Sequence, residues 1–232
     1  MKLIKLLAVA SLLTAVPAVI FSIPSRANLL GGYVANGEPH PIEQRRTLSS
    51  GSRSNCTSQI NKGDVALAVP DEEVVHLTTK QTPSVYLISE KEGSLPFKFT
   101  LVNPKTSEVL VKKDLHLQGK GIQKIDIDEK VKLTEGTTYL WYVAFPCQNN
   151  PEESYDILGA GIERTIVNEK LASGLDKTQN STEKAALFAS NGIWYEALEL
   201  ALKDSNNSPD YLQQLLESAG VEYPNDTNTA RK

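Results

Sequence analysis

The side chains best suited to catalysis lie in two short clusters of carboxylates. One lies just before His76 and the other follows Pro151; together they contain Asp71, Glu72, Glu73, Glu152, Glu153 and Asp156. A pair of carboxyl groups can hydrolyse a glycosidic bond when one acts as acid and the other as base or nucleophile. Such a pair is defined by its distance in space and not by its spacing in the sequence, so a hydrolase is one possible function. The simpler interpretation is that these carboxylates are solvated charges on loops.

The other residue patterns that mark an active site are missing from the sequence. It contains no Gly-x-Ser-x-Gly turn, no His-Glu-x-x-His helix and no glycine-rich phosphate loop. Two cysteines and three histidines, without zinc-site spacing, predict neither a metal nor a cofactor. The 24 basic and 28 acidic residues give a net charge of −4, which argues against nucleic acid as a partner.

The N-terminus predicts export. Two lysines precede the apolar run Leu6–Phe21, and Ser25-Arg26-Ala27 offers small residues at the positions that a signal peptidase reads. Residues 1–27 are therefore predicted to be a signal peptide, leaving a mature chain without a transmembrane span. The apolar run is short for a membrane helix, which needs roughly 20 apolar residues. An uncleaved anchor is the alternative interpretation.

Export decides how Cys56 and Cys147 are interpreted. A periplasmic or extracellular location is oxidising, and it favours one disulfide between them. The bridge would close a loop of about 90 residues and stabilise the fold by roughly 4–5 kcal/mol through chain entropy. Free or redox-active thiols are the alternative.

Hydrophobic alternation predicts a β-sheet domain over residues 63–168, after a flexible leader at 28–62 that is rich in Gly, Ser, Asn, Pro and Arg. Alternation with one polar face is typical of antiparallel sheets with one buried side. About seven short strands with turn signals between them favour a β-sandwich. The clearest faces are Val109, Val111, Leu115 and Leu117 in one run, and Tyr139, Trp141, Val143 and Phe145 in another.

A corner pattern points to the kind of sandwich. Leu133, Gly136 and Tyr139 lead directly into the strand that contains Trp141. The arrangement resembles the tyrosine corner of immunoglobulin-like and fibronectin-III-like sandwiches, in which the hydroxyl bonds back to the corner backbone. An ordinary hairpin with an aromatic strand is the alternative.

The apolar period becomes helical over residues 180–220, and a frayed tail is predicted at 221–232. Asn180 is a helix cap, Ser208-Pro209-Asp210 starts a further helix, and Gly220 ends it. The intervening helix places an apolar stripe opposite a polar face that comprises Glu196, Glu199 and Lys203.

The run that contains Gly192, Trp194, Tyr195 and Ala197 resembles the turn and second helix of a tetratricopeptide unit. One unit cannot build a solenoid, because each unit needs stacked neighbours. A helical hairpin docked on the sandwich, as a C-terminal appendage, is therefore favoured over a repeat-type peptide groove.

The chain resembles the exported cyanobacterial family called DUF 928, a domain of unknown function, over about residues 45–220. The resemblance implies an exported protein with paired cysteines, and it supplies no substrate, cofactor or catalytic residue. The matching segments are the Arg/Ser/Gly leader up to Cys56, residues 65–70, residues 82–88, Leu133-x-x-Gly136-x-x-Tyr139-x-Trp141-Tyr142 with Cys147, and residues 189–198.

The favoured function is a non-catalytic cell-envelope protein, used for binding or assembly, whose partner is an envelope protein or polysaccharide. A hydrolase that uses the carboxylate clusters is one alternative. A carbohydrate-binding module that uses Trp194 or Tyr195 as exposed aromatics is another, and burial of these side chains decides between this module and a core role. The sequence specifies no oligomeric state.

Overall fold

The computed structural model describes residues 31–35, 58–61, 63–149, 151 and 155–223. These residues form a mainly β structure, as the sequence predicts, together with four helices. The strands are β1 (Val65–Leu67), β2 (Val75–Thr78), β3 (Ser84–Ser89), β4 (Ser94–Asn103), β5 (Glu108–Gln118), β6 (Gly121–Asp126), β7 (Thr138–Pro146) and β8 (Tyr155–Arg164). The helices are α1 (Glu169–Lys177), α2 (Ser181–Ser190), α3 (Trp194–Lys203) and α4 (Pro209–Ser218).

The strands form two sheets, in the orders β1-β3-β6 and β2-β8-β7-β4-β5. All neighbouring strands are antiparallel except β2 and β8, which run parallel. The parallel pair departs from the predicted purely antiparallel arrangement. It arises because the chain leaves the first sheet after β1 and joins the edge of the second sheet as β2.

One hydrophobic core contains side chains from both sheets and from the helices. The strongest predicted strand is β7, and Trp141, Val143 and Phe145 on its inner face are fully buried. Phe97 packs on Phe145 with 5.5 Å between ring centroids, and Phe99 lies 6.4 Å from Trp141. These aromatic contacts join β4 to β7 inside the core.

A β-bulge corrects the predicted face of β5. Leu101 pairs with Val111, but the next residue of β4, Val102, pairs with Val109, so one extra residue enters β5. Because side chains alternate between faces along a strand, the extra residue turns Val109 away from the core. Val109 is 57% exposed, whereas Val111 is buried.

Strand β3 is buried along its whole length, although the alternation predicted a polar face for the strands. Val85 and Leu87 are fully buried. Tyr86 and Ile88 alternate with them. Leu202 of α3 lines a groove together with Tyr86, and Val221, just after α4, lines another together with Ile88. The helices thus cover part of the face that alternation alone assigned to solvent.

Helices α2, α3 and α4 lie where the helical period places them. The Asn180 side chain accepts hydrogen bonds from the backbone N–H groups of Thr182 and Glu183, at 2.8 and 3.2 Å. Gly220 follows α4 with a φ of +70°, a conformation that favours glycine. Helix α1 was not predicted, because Leu171 is its only buried residue and one residue cannot reveal a period.

Residues 31–35 belong to the predicted flexible leader, yet they contact the helices. The Val34 N–H donates to the carbonyl of Ala189 at 3.1 Å, and the Tyr33 ring packs edge-on against Trp194. The predicted signal peptide, Cys56, most of the leader and residues 224–232 of the predicted tail lie outside the described residues. Among the described helices, none has the length and apolar character needed to span a membrane.

Candidate functional site

Trp194 and Tyr195 lie in the core, at 0% and 2% exposure. The indole Nε1–H of Trp194 donates to the carbonyl of Ala68 at 2.7 Å. A carbohydrate-binding role for these two side chains is therefore wrong, because neither ring presents a face to solvent. The first five residues of α3, Trp194–Leu198, are all buried, so the helix enters the core with its N-terminal end.

Tyr195 connects this helix to the larger sheet. Its hydroxyl accepts the indole Nε1–H of Trp141 at 2.9 Å and donates to the carbonyl of Gly161 at 3.3 Å. Burial raises the pKa of the Tyr195 hydroxyl, so it remains a neutral donor. The pair Trp141 and Tyr195 is thus a satisfied polar contact inside the fold and not a binding surface.

The helical period predicts Glu196 on the solvent-exposed face of its helix. This prediction is wrong, since the residue is only 3% exposed. Its Oε1 accepts hydrogen bonds from the Thr78 hydroxyl at 2.7 Å and from the backbone N–H groups of Thr79 and Lys80 at 3.0 and 3.1 Å. Its Oε2 is buried without a hydrogen-bond partner among the described residues. Burial raises the pKa of the Glu196 carboxyl, and the three hydrogen bonds oppose the rise. Glu196 holds the β2–β3 connection against α3.

The corner residues also have structural contacts. The Tyr139 hydroxyl accepts a hydrogen bond from the backbone N–H of Thr134 at 3.0 Å, which is the back-bond that the corner pattern predicts. Leu133 is buried, and Gly136 has a φ of +65°. A left-handed backbone at the corner explains the glycine, because a side chain would strain this conformation.

Two carboxylates of the predicted clusters accept hydrogen bonds within the fold. Asp71 Oδ1 accepts the Glu73 N–H at 2.7 Å, and Asp156 accepts the Ser58 hydroxyl at 2.7 Å. The grooves lined by Ile88, by Tyr86 and by Tyr155 include no member of either cluster among their described lining residues. Glu152 and Glu153 lie outside the described residues.

His76 is a buried structural residue. Its Nε2 lies 2.6 Å from the carbonyl oxygen of Asp71, so the ring ties the loop before β2 to that strand. Burial lowers the pKa of His76, which favours the neutral ring. Within the part of the chain that the structure describes, no cluster of three or more His, Cys, Asp or Glu side chains is placed to hold a metal ion.

A groove that combines apolar rings with a cation, a carboxylate and an imidazole lies on the outer face of the five-stranded sheet. We call it the Tyr155 groove; its volume is about 270 Å³. Strand pairing builds it, because Lys98 of β4 lies opposite Asp114 of β5, and Pro96 lies opposite His116. Its lining residues are Pro96, Phe97, Lys98, Asp114, Leu115, His116, Pro146, Pro151 and Tyr155.

The aromatic end of this groove carries a positive charge. Pro146 of β7 pairs with Tyr155 of β8. The Lys98 ammonium donates to the Tyr155 hydroxyl at 2.6 Å and lies 4.7 Å from the centre of its ring. The groove therefore joins flat apolar rings to a fixed cation, with a carboxylate and an imidazole on the neighbouring strand.

The sequence does not mark Lys98 or Tyr155 as site residues. They are 57 positions apart, and their contact depends on the registers of β4 with β7 and of β7 with β8. The alternation of polar positions along β4 and β5 marks the outer face. The alternation does not give the register between β4 and β5, because a bulge shifts the pairing of these two strands.

The chain matches the model of a protein family. The model of the family described as Domain of Unknown Function (DUF928) matches residues 48–229, most of the chain. The comparison with curated proteins gives no significant match. The matched range includes the Tyr155 groove and the hydrogen bonds of α3 to Ala68, Thr78, Trp141 and Gly161.

Proposed function

Because this chain belongs to the DUF928 family, whose description names no activity, we propose its function from its own surface. It is an exported, non-catalytic binding module of the cell envelope, and it holds an envelope polysaccharide in the Tyr155 groove. The observation that carries the proposal is the contact of Lys98 with Tyr155 beside Asp114 and His116 on one sheet face. Paired strands fix these residues, so the groove is formed before a ligand arrives.

The chemistry of the groove favours a sugar chain. Binding sites for small ligands combine an apolar lining with a few placed polar groups. A sugar ring has an apolar C–H face, which suits the rings of Tyr155 and the prolines. Its hydroxyl rim suits the polar groups of Lys98, Asp114 and His116. The open face of a sheet accommodates a long polymer, since nothing in the groove requires a chain end.

The proposed architecture is an immunoglobulin-like or fibronectin-III-like sandwich with a C-terminal helical appendage. The strand orders β1-β3-β6 and β2-β8-β7-β4-β5 support it. Apart from the edge strand β2, they correspond to the A-B-E and G-F-C-C′ orders of immunoglobulin sheets. The bond from the Thr134 N–H to the Tyr139 hydroxyl, at the entry to β7, supports it further. In this alignment β7 is strand F, where the tyrosine corner occurs.

Export and the disulfide are parts of the same proposal. The signal-like segment at residues 1–27 supports export to the periplasm or the exterior. Cys147 is fully buried just after β7, and the described residues contain no free cysteine, which supports a bridge to Cys56. Non-reducing digestion of native protein tests this, and we expect one peptide pair that contains both cysteines.

The binding proposal is tested with purified mature protein and envelope polysaccharide from the same cells. We expect saturable binding by titration calorimetry, weakened at least tenfold by Tyr155→Ala and by Lys98→Ala. The matched control is Val109→Ala, a change at an exposed side chain of the same sheet that lies outside the groove. Equal binding by Tyr155→Ala and Val109→Ala, with both proteins folded, contradicts the groove as the site.

The same samples separate binding from hydrolysis. A binding module releases no new reducing ends from the polysaccharide over hours of incubation. Release of reducing ends that stops on Asp71→Asn or Asp156→Asn would replace the proposed binding module with the carboxylate-pair hydrolase. Binding to an envelope protein, without binding to the polysaccharide, would place the function in assembly.

A further inference from the structure

Residues Gly31–Ala35 occupy a site formed by three helices, and we call this segment the strap. The Tyr33 N–H donates to the hydroxyl of Ser218 on α4 at 2.9 Å. The Val34 N–H donates to the carbonyl of Ala189 on α2 at 3.1 Å. The strap is thus held by backbone hydrogen bonds to two different helices, in the manner of a bound peptide.

The site selects glycine at position 32. A Cβ atom placed on Gly32 would lie 2.6 Å from both the Cβ and the Oγ of Ser218. Real Cβ atoms do not approach other atoms so closely, so any other residue at position 32 would push the strap away from α4. The backbone of the strap reaches the helix only because this side chain is absent.

The site also selects an aromatic residue at position 33. The rings of Tyr33 and Trp194 pack edge to face, with centroids 5.1 Å apart and planes at 79°. This is a favoured aromatic geometry. Val34 points away and is 55% exposed, so its side chain carries little of the recognition. The pattern recognised is glycine followed by an aromatic residue.

We propose that Ser218, Ala189 and Trp194 form a sequence-selective seat for an extended Gly-Tyr segment, and that the strap of a second copy of this chain fits the same seat. Exchange between copies keeps every contact of the strap, so it requires no new surface. Residues 36–57, 22 in all, separate the strap from Ser58. Extended, this length spans up to roughly 75 Å, which is enough to reach a neighbouring copy.

The test mixes two full mature chains, each lacking one half of the contact. Gly32→Ala prevents the strap from binding, because its Cβ would clash with Ser218, and it leaves the seat intact. Ser218→Leu blocks the seat and leaves the strap intact, at an exposed position of α4. We expect each variant alone to be a monomer by light scattering and the mixture at 100 µM to form a one-to-one complex. Thermal melting establishes that both variants are folded.

Matched variants show whether the complex uses the strap. Adding Tyr33→Ala to the Ser218→Leu chain removes the ring that packs on Trp194, so the mixture should stay monomeric. Adding Val34→Ala to that chain changes an exposed side chain, so the complex should persist. A mixture of folded Gly32→Ala and Ser218→Leu chains that remains monomeric overturns exchange between copies.

A synthetic peptide with the sequence of residues 28–36 tests the seat without a second protein. We expect the labelled peptide to bind the Gly32→Ala chain at least tenfold more tightly than the wild-type chain, whose own strap fills the seat. The same peptide with alanine in place of Gly32 should not bind. Equal binding of both peptides, or binding of neither, overturns the selectivity of the seat.

Discussion

The Tyr195 hydroxyl accepts the indole N–H of Trp141 at 2.9 Å inside the core. Tyr195 is the second residue of α3, whereas Trp141 lies in the middle of β7, so the bond joins the helices to the sheets. Both residues belong to the segments by which the sequence resembles its family. Their contacts give those segments a role in folding.

Tyr195→Phe should destabilise the fold by about 1–3 kcal/mol, because the buried indole N–H of Trp141 loses its acceptor. Urea unfolding followed by fluorescence measures the change. Tyr142→Phe is the matched control at a half-buried tyrosine on the opposite face of β7. It should shift the free energy of unfolding by no more than about 0.5 kcal/mol. Equal effects of the two changes would contradict a specific role for the Tyr195 hydroxyl.

Tyr139→Phe should cost about 0.5–1.5 kcal/mol, because the backbone N–H of Thr134 loses its acceptor. The ring itself remains in the core, so the expected loss is that of one hydrogen bond. Urea unfolding measures it. Hydrogen exchange of the Thr134 amide should speed up relative to amides of α4, and unchanged exchange at Thr134 would show that the bond does not protect the corner.

The elements were predictable wherever the hydrophobic period was long. The inner face of β7 and the stripes of α2, α3 and α4 follow from the sequence, because each contains several apolar residues at one spacing. The hydrophobic period did not predict α1, which has a single buried residue. It also gave the wrong face for Val109, because a bulge turns that side chain outward. The second face of β3 also escaped prediction, because its burial depends on helices that come much later in the chain.

The candidate site was less predictable than the fold. Neither the contact of Lys98 with Tyr155 nor that of Glu196 with Thr78 has a sequence signature, since each pair is set by strand register or helix docking. Glu196 lies between Tyr195 and Ala197, both of which are buried, and a helical period alone assigns a charged residue to solvent. The three donors at Thr78–Lys80 explain why the carboxyl lies inside.

Loss of the proposed disulfide should weaken the mature protein considerably. The double variant Cys56→Ala/Cys147→Ala removes a link that would close a loop of about 90 residues, so the predicted loss is roughly 4–5 kcal/mol. Chemical unfolding in the absence of reductant measures it. A reducing agent should destabilise the wild-type chain and leave the double variant unchanged. Equal stability of the two proteins without reductant would show that the thiols are not joined.

Glu196→Gln should stabilise the protein progressively as the pH rises. Burial holds the folded-state pKa of Glu196 above its ordinary value of 4.5. As the pH rises through 4.5, the unfolded chain therefore loses this proton before the folded chain does. The folded state then binds more protons than the unfolded state, so the contribution of Glu196 to stability falls with increasing pH. Glutamine keeps an oxygen for the three donors and cannot ionise.

Urea unfolding of both proteins between pH 4 and pH 8 measures this effect as the difference in unfolding free energy. The two proteins should be closest in stability at the acidic end, and the glutamine variant should gain steadily above it. Glu199→Gln is the matched control on the same helix, at a more exposed carboxylate paired with Lys80. It controls for the loss of a carboxylate from α3 while the buried carboxyl of Glu196 is kept. A difference that is independent of pH would mean that Glu196 has the same pKa in the folded and unfolded chains, and it would contradict the prediction. A wild-type chain that gains on the glutamine variant as the pH rises would mean that the buried carboxyl stays ionised, held by the donors of Thr78, Thr79 and Lys80.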